Sequence, residues 1–139
     1  MLRNPLQSYK TISLETAPPG RLVLMLFDGA IKFLERAKLG FDIEDPVEMT
    51  ETVHNNITRA QDIINELNGT LNMDQGGEIA VVLRDLYVYM ENKLFESNIR
   101  KEIEGVQEVI DRLSTLQEGW SEMLEQETAV AGRERPNLF

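Results

Sequence analysis

Apolar residues recur at helical spacing along four long segments of this chain. They return every three or four positions over about residues 18–41, 46–71, 78–98 and 102–127, which is the period of an amphipathic helix. Glycine, proline or short polar stretches separate the segments. No segment alternates apolar and polar residues as a half-buried strand does. The sequence therefore predicts an all-α protein built from four long helices. The fourth is predicted to carry a single core stripe, formed by Ile103, Val106, Val109, Ile110, Leu113, Leu116, Trp120 and Leu124.

The connections between the four segments are short, which favours antiparallel packing of consecutive helices. We predict an antiparallel up-down four-helix bundle over residues 16–127. Residues 1–15 are predicted to form a short N-terminal helical arm, and residues 128–139, which lack periodicity, a disordered C-terminal tail. The arm carries one apolar edge, formed by Leu6, Tyr9 and Ile12.

The third predicted helix carries two apolar faces. At about 100° per residue, one face forms the predicted core stripe of Ile79, Leu83, Leu86, Tyr87, Met90 and Leu94. A second line, spaced seven residues apart, lies roughly opposite and consists of Val81, Val88 and Phe95. The glycine pair Gly76-Gly77 is predicted to stop the second helix before the third begins. A helix with two apolar faces sits inside an assembly or keeps one face for a partner.

Surplus apolar residues make surface binding the leading candidate function, because grooves between helices accept amphipathic partner helices. The candidate partner-binding residues on the first helix are Leu24, Met25 and Ile31. Those on the third helix are Val81, Val82, Val88, Tyr89 and Phe95. Self-association, or burial under the N-terminal arm, explains the same pattern and stays open.

Composition narrows the class of protein. The formal net charge of −10 argues against nucleic-acid binding, which depends on clustered lysine and arginine. The chain has no cysteine, so disulfide and thiolate chemistry are excluded. No basic segment followed by an apolar run opens the chain, and no stretch is long enough to cross a bilayer. We expect a cytoplasmic protein without direct membrane insertion.

Catalytic patterns are weak. Glu51 and His54 have the Glu-x-x-His spacing of di-metal carboxylate bundles, but both point away from the apolar stripe of the second helix, and His54 is the only histidine. No nucleophile motif or phosphate loop is present. The sequence therefore predicts no enzyme, no metal site and no cofactor. A metal-dependent bundle enzyme is the alternative that bound metal would reveal.

Several motifs occur together in a recognisable order. They are Thr16-Ala17-Pro18, LVLMLFDG at 22–29, GGEIA at 76–80, LYVYM at 86–90, Asn98 and Trp120. In this order and spacing, from about Tyr9 to Trp120, the chain resembles the bacterial flagellin-export chaperones (the FliS family).

The resemblance implies a cytoplasmic helical bundle without catalysis or nucleotide. Such a chaperone binds the disordered C-terminal segment of flagellin in apolar surface grooves, prevents premature polymerisation and delivers flagellin to the flagellar type III export gate. Leu6 and Tyr9 match the family's N-terminal arm, which is linked to docking on an export gate protein. Val81 and Val88 depart from the family pattern, where polar residues are usual. Two alternatives therefore stay open. The line of Val81, Val88 and Phe95 could be the contact of a weak homodimer or of a co-chaperone. The whole protein could instead be a homo-oligomeric structural bundle and not a chaperone.

Overall fold

The structure, a computed structural model, describes residues 19–129. These residues form four α-helices: α1 (Pro19–Gly40), α2 (Pro46–Gly69), α3 (Gly77–Arg100) and α4 (Ile103–Ala129). The prediction of an all-α chain with four long helices is confirmed. The predicted arm of residues 1–15, and the tail from residue 130 onwards, lie outside the described residues.

The four helices form a ring in which each packs against two others. α1 and α3 both contact α2 and α4. The end of α4 meets the start of α1, where the Trp120 indole N–H donates to the Gly20 carbonyl at 2.9 Å. The start of α2 meets the end of α3 through the hydrogen-bonded pair His54–Asn98. The end of α2 meets the start of α3 through the pair Asn68–Arg84. The bundle is therefore antiparallel, with α1 and α3 at opposite corners.

The core is built from the apolar stripes of all four helices. α2 supplies more of its large, fully buried side chains than any other helix, and α3 supplies Tyr87, Met90 and Leu94. The remaining core members include Val23, Leu26, Phe27, Leu34, Val53, Ile57, Ile63, Ile64, Leu67, Val106, Val109, Ile110 and Leu113. Removing this much apolar surface from water is the main favourable term in folding.

Two residues predicted to be buried are exposed. Ile79 was assigned to the core stripe of α3, but half of its side chain is accessible, and Ile103 on the predicted stripe of α4 is also exposed. Both lie in the first turn of their helices. At the end of a bundle, a side chain that points towards the core can still lack a neighbouring helix to cover it. The prediction that these two residues are buried was therefore wrong.

The glycine pair lies at the entrance to α3 rather than at the end of α2. α2 ends at Gly69, and the Thr70 hydroxyl donates to a carbonyl of its last turn at 2.7 Å. The Gly76 N–H donates to the Asn72 carbonyl at 2.7 Å, and Gly77 has a φ of 61°. Because that left-handed conformation favours glycine, the pair shapes the turn into α3. The prediction that it stops α2 was wrong.

α3 and α4 lie close together just after their short connection. Lys101, which follows α3, has a φ of 53° and reverses the chain. A Cβ atom placed on Gly105 would overlap the Oγ atom of the buried Ser97. The absence of a side chain at Gly105 therefore allows the tight crossing of the two helices.

Candidate partner-binding surfaces

Exposed apolar side chains are concentrated on α3. Of the ten large ones among the described residues, seven belong to this helix: Ile79, Val81, Val82, Val88, Tyr89, Phe95 and Ile99. Single exposed apolar residues are common on soluble proteins, but a contiguous set on one helix marks an interaction site. α3 is therefore the helix with the clearest capacity to bind a partner.

The centre of the outward face of α3 is an apolar line, here called the α3 ridge, made of Val81, Val88, Phe95 and Ile99. All four side chains are exposed. They fall within about 40° of one another around the helix axis when each residue advances it by about 100°. The first three follow the predicted line, whereas Ile99 was missed. Its position four residues after Phe95 was the available signal.

Between the ridge and α4 lies a second feature, here called the α3 shoulder, made of Val82 and Tyr89. The Tyr89 hydroxyl donates to Glu108 Oε2 on α4 at 2.6 Å, and Arg112 Nε donates to the same oxygen at 2.9 Å. Lys93 Nζ lies 3.9 Å from Glu108 Oε1. The centre of the Arg112 guanidinium is 4.9 Å from the centre of the Tyr89 ring, within the range of a cation–π contact.

This network fixes both the charge of Glu108 and the pose of the Tyr89 ring. Two hydrogen bonds hold the pKa of the Glu108 carboxyl below its usual range, of which the bond from Tyr89 has the larger effect and the bond from Arg112 the smaller. The hydrogen bond to Glu108 in turn raises the pKa of Arg112. A side chain that is already held in place loses less rotational freedom when a partner binds. Tyr89 is thus a preorganised aromatic contact on the surface.

A second candidate surface lies between α1 and α4, here called the α1/α4 groove. It is an open groove of about 600 Å³, lined by Arg21, Leu24, Met25, Asp28, Ser114, Gln117, Glu118 and Ser121. Leu24 and Met25 provide its apolar part, and the α4 side is polar. A groove of this kind suits an amphipathic helix or an extended segment with a few apolar anchors.

Comparison with known proteins shows to which family this chain is related. The family model described as "Flagellar protein FliS" matches residues 2–127. The flagellar secretion chaperone FliS of Bacillus subtilis is 32% identical over 126 residues, covering 91% of this chain and 90% of the relative. The flagellar secretion chaperone FliS of Salmonella typhimurium is 36% identical over 123 residues, covering 85% and 88%. That of Vibrio cholerae is 30% identical over 127 residues.

The chain belongs to the FliS family. The resemblance inferred from the motifs is confirmed, and the family is one of flagellar secretion chaperones rather than of enzymes. Two of the motifs are now located in this FliS-family fold: the GGEIA segment forms the N-cap and first turn of α3, and Trp120 joins α4 to the first turn of α1.

The partner-binding residues predicted from the sequence do not form one site in this FliS-family chain. Leu24 and Met25 line the α1/α4 groove, whereas Ile31 is partly buried against the core. The five residues of α3 are divided between the ridge and the shoulder. Leu6 and Tyr9 lie outside the described residues. The α1/α4 groove borders α4 on its α1 side and the α3 shoulder borders α4 on its α3 side, so the two surfaces lie on adjacent sides of the ring.

His54 takes part in a link between helices. Its side chain is exposed, and the Asn98 amide donates to His54 Nδ1 at 2.9 Å. Lys101 Nζ donates to both the backbone carbonyl and the Oδ1 atom of Asn98, and burial lowers the pKa of Lys101. The three residues tie α2 to the turn between α3 and α4. Asn98 is a motif residue in the sequence, but the helical pattern gives no signal for this role, because His54 lies 44 positions away.

Two further observations concern the part of the chain that the structure describes. Over residues 19–129, no three histidine, aspartate or glutamate side chains are grouped so that they could hold a metal ion. Over the same range, no helix is both long enough and apolar enough to cross a membrane.

Proposed function

We propose that this protein is a cytoplasmic flagellin-specific export chaperone. It binds the disordered C-terminal segment of flagellin on apolar surface grooves, prevents premature polymerisation and delivers flagellin to the flagellar type III export gate. The observation that carries the proposal is the match to the flagellar protein FliS over residues 2–127. The relatives are named flagellar secretion chaperones, and the sequence resemblance implies flagellin as the cargo.

The separation of the two candidate surfaces supports a cargo that is a long, unfolded segment. A compact ligand would contact either the α1/α4 groove or the α3 shoulder, since they lie on different sides of the ring. A segment that folds as it binds can wrap around the bundle and reach both surfaces. Ordering such a segment consumes part of the contact free energy, which keeps the complex releasable at the export gate.

Within this proposal, Leu24 and Met25 anchor one part of the flagellin segment and the α3 shoulder anchors another. Val82 and Tyr89 are both exposed and lie two turns apart, about 10 Å, along the same face of α3. A bound amphipathic helix could place one apolar side chain against Val82 and another against the fixed ring of Tyr89. The shoulder therefore combines an apolar contact with little loss of side-chain freedom.

The binding test uses a matched pair of valines. Val82 on the shoulder and Val47 at the start of α2 are 63% and 65% exposed. Calorimetry with a C-terminal flagellin fragment should give a 1:1 complex with the unaltered chain. Because burying a valine contributes about 1.5–3 kcal/mol, Val82→Glu should weaken binding by about 10- to 100-fold, whereas Val47→Glu should leave it unchanged.

The absence of any complex with the unaltered chain would overturn the proposal. Equal binding by both variants would remove the shoulder from the flagellin site. The alternative, a homo-oligomeric structural bundle, predicts an oligomer whose mass in light scattering is independent of concentration and of added flagellin.

We assign docking on the export gate protein to the N-terminal arm, through Leu6 and Tyr9, as the sequence resemblance implies. Tyr9→Ala should leave the helical circular dichroism unchanged and reduce flagellin export or alter flagellin affinity. Global unfolding of the variant would mean that Tyr9 belongs to the core, and normal export and affinity would contradict a role in docking.

A further inference from the structure

The positions on the outward face of α3 are spaced symmetrically about Val88. Val81 and Phe95 each lie seven residues from Val88, and Gly77 and Ile99 each lie eleven residues from it. All five positions lie within about 40° of one another around the helix. Among the described residues, the four apolar side chains of the ridge are exposed. A face with this symmetry is complementary to an inverted copy of itself.

We propose that the α3 ridge binds the α3 ridge of a second copy of this chain, with the two helices antiparallel and the two-fold axis at Val88. In this register Val88 meets its own counterpart, and Val81 meets Phe95 of the second copy. Ile99 lies over Gly77 of the second copy, where a Cβ atom would have no neighbour within 4 Å in the single chain. In the two outer pairs a large residue thereby faces a smaller one, as close packing requires, and at the centre the two valines face each other.

The charges beside the ridge fit the same register. Arg84 and Glu91 lie on one flank of α3, four residues before and three residues after Val88. An antiparallel two-fold brings identical flanks together, so Arg84 of each copy comes within about one residue, or about 1.5 Å along the axis, of Glu91 of the other. Among the described residues, Glu91 has no cation within ion-pair distance. The second copy supplies one.

The opposite flank is complementary as well. Asp85 lies three residues before Val88 and Asn92 four residues after it, and both are exposed. The Asn92 amide of one copy therefore faces the Asp85 carboxylate of the other and can donate a hydrogen bond to it. Antiparallel packing also sets the two helix dipoles against each other in the favourable direction.

The contact is small, which sets the expected strength. A helix of 24 residues is about 36 Å long, and a single pair of such helices falls at the low end of specific interfaces. The formal charge of −10 on each copy adds repulsion that salt screens. We therefore expect a dimer with a dissociation constant in the range of about 10–100 μM at physiological salt.

Cysteine cross-linking tests the register directly, because the chain has no cysteine of its own. Val88→Cys should form a disulfide-linked dimer under mild oxidation. Val81→Cys and Phe95→Cys should cross-link with each other when mixed, and neither should cross-link alone. The control is Val47→Cys on α2, at a valine that is more exposed than Val88 or Val81, and this variant should remain monomeric. Cross-linking of Val81→Cys with itself would indicate parallel helices, and equal cross-linking of Val47→Cys would indicate random collision; either would overturn the proposal.

A charge-reversal cycle tests the same contact without a covalent bond. In analytical ultracentrifugation of the chain alone, Arg84→Glu should weaken the dimer by at least about tenfold, equivalent to about 1.4 kcal/mol. The double variant Arg84→Glu/Glu91→Arg should restore it, because the pair is reversed in both copies. A chain that stays monomeric at all concentrations, or a double variant as weak as the single one, would overturn the proposal. No flagellin is present, so this outcome is independent of the proposed chaperone function.

Discussion

The hydroxyl of Tyr87 is the one buried side-chain polar atom among the described residues that makes no hydrogen bond. The side chain is fully buried, and burial raises the pKa of the phenol. A buried hydroxyl without a partner is destabilising because it has lost its bonds to water. The aromatic ring, by contrast, fills the core between the helices.

Tyr87→Phe should therefore raise the free energy of unfolding by about 1 kcal/mol. Urea denaturation followed by circular dichroism measures it as a higher midpoint with an unchanged slope. Tyr89→Phe is the matched control on the same helix, since that hydroxyl has a partner in Glu108, and it should give no gain. A lower midpoint for Tyr87→Phe would show that the hydroxyl is satisfied in solution.

The bond from Tyr89 to Glu108 also predicts a pH dependence. The pKa of Glu108 in the folded protein is lowered, chiefly by this bond. The interaction therefore stabilises the fold above the pKa of the unfolded chain and is lost as the pH falls through the folded value. In Tyr89→Phe the folded pKa should move up towards the ordinary value of a glutamate, and NMR titration of the Glu108 carboxyl measures this. The pKa should stay lowered in Tyr87→Phe; the same rise in both variants would contradict the assignment.

At the scale of whole helices, the crossing of α3 and α4 depends on a single missing side chain. Gly105→Ala would push a methyl group into the Oγ atom of Ser97, and overpacking of this kind costs about 1–3 kcal/mol of stability. On the same helix, Gly119 is exposed and has open space around it. Gly119→Ala should therefore raise stability by up to about 1 kcal/mol, because alanine favours a helix over glycine.

Thermal unfolding measures both effects. If the crossing is rigid, the melting temperature should fall in Gly105→Ala and rise in Gly119→Ala relative to the unaltered chain. Ser97→Ala in the Gly105→Ala background should recover part of the loss, since it removes the atom in collision. Equal stability of Gly105→Ala and the unaltered chain would mean that the helices separate at little cost.

The helices themselves were predictable because each carries its own apolar stripe. Their ends were less so: Ile79 and Ile103 have core-facing angles but lie in first turns, where coverage depends on other helices. The crossing at Ser97 and Gly105 could not be predicted, because it follows from the left-handed backbone of Lys101. A lysine gives no sequence signal for that conformation.

For the molecule as a whole, the arrangement of the helices around the ring could not be predicted from the sequence. A helical period gives the angle of Leu24 or Ile31 on its own helix, but not which neighbour covers that angle. In the structure α4 leaves Leu24 in a groove, while Ile31 packs against the core. The exposed line of α3 was predictable because Val81, Val88 and Phe95 lie opposite a complete core stripe. The division of the candidate residues between two separate surfaces was not.

The junction between the last helix and the first also gives this protein a built-in optical reporter. Trp120 is the only tryptophan of the chain, and its indole N–H bonds to the carbonyl of Gly20. Gln117 and Ser121, its neighbours on α4, line the α1/α4 groove. Indole emission responds to the polarity and hydrogen bonding of its surroundings. We therefore expect the fluorescence of Trp120 to change when the contact between α4 and α1 opens, and when a flagellin segment binds in the adjacent groove. Binding and release can then be followed in real time on the unlabelled chain.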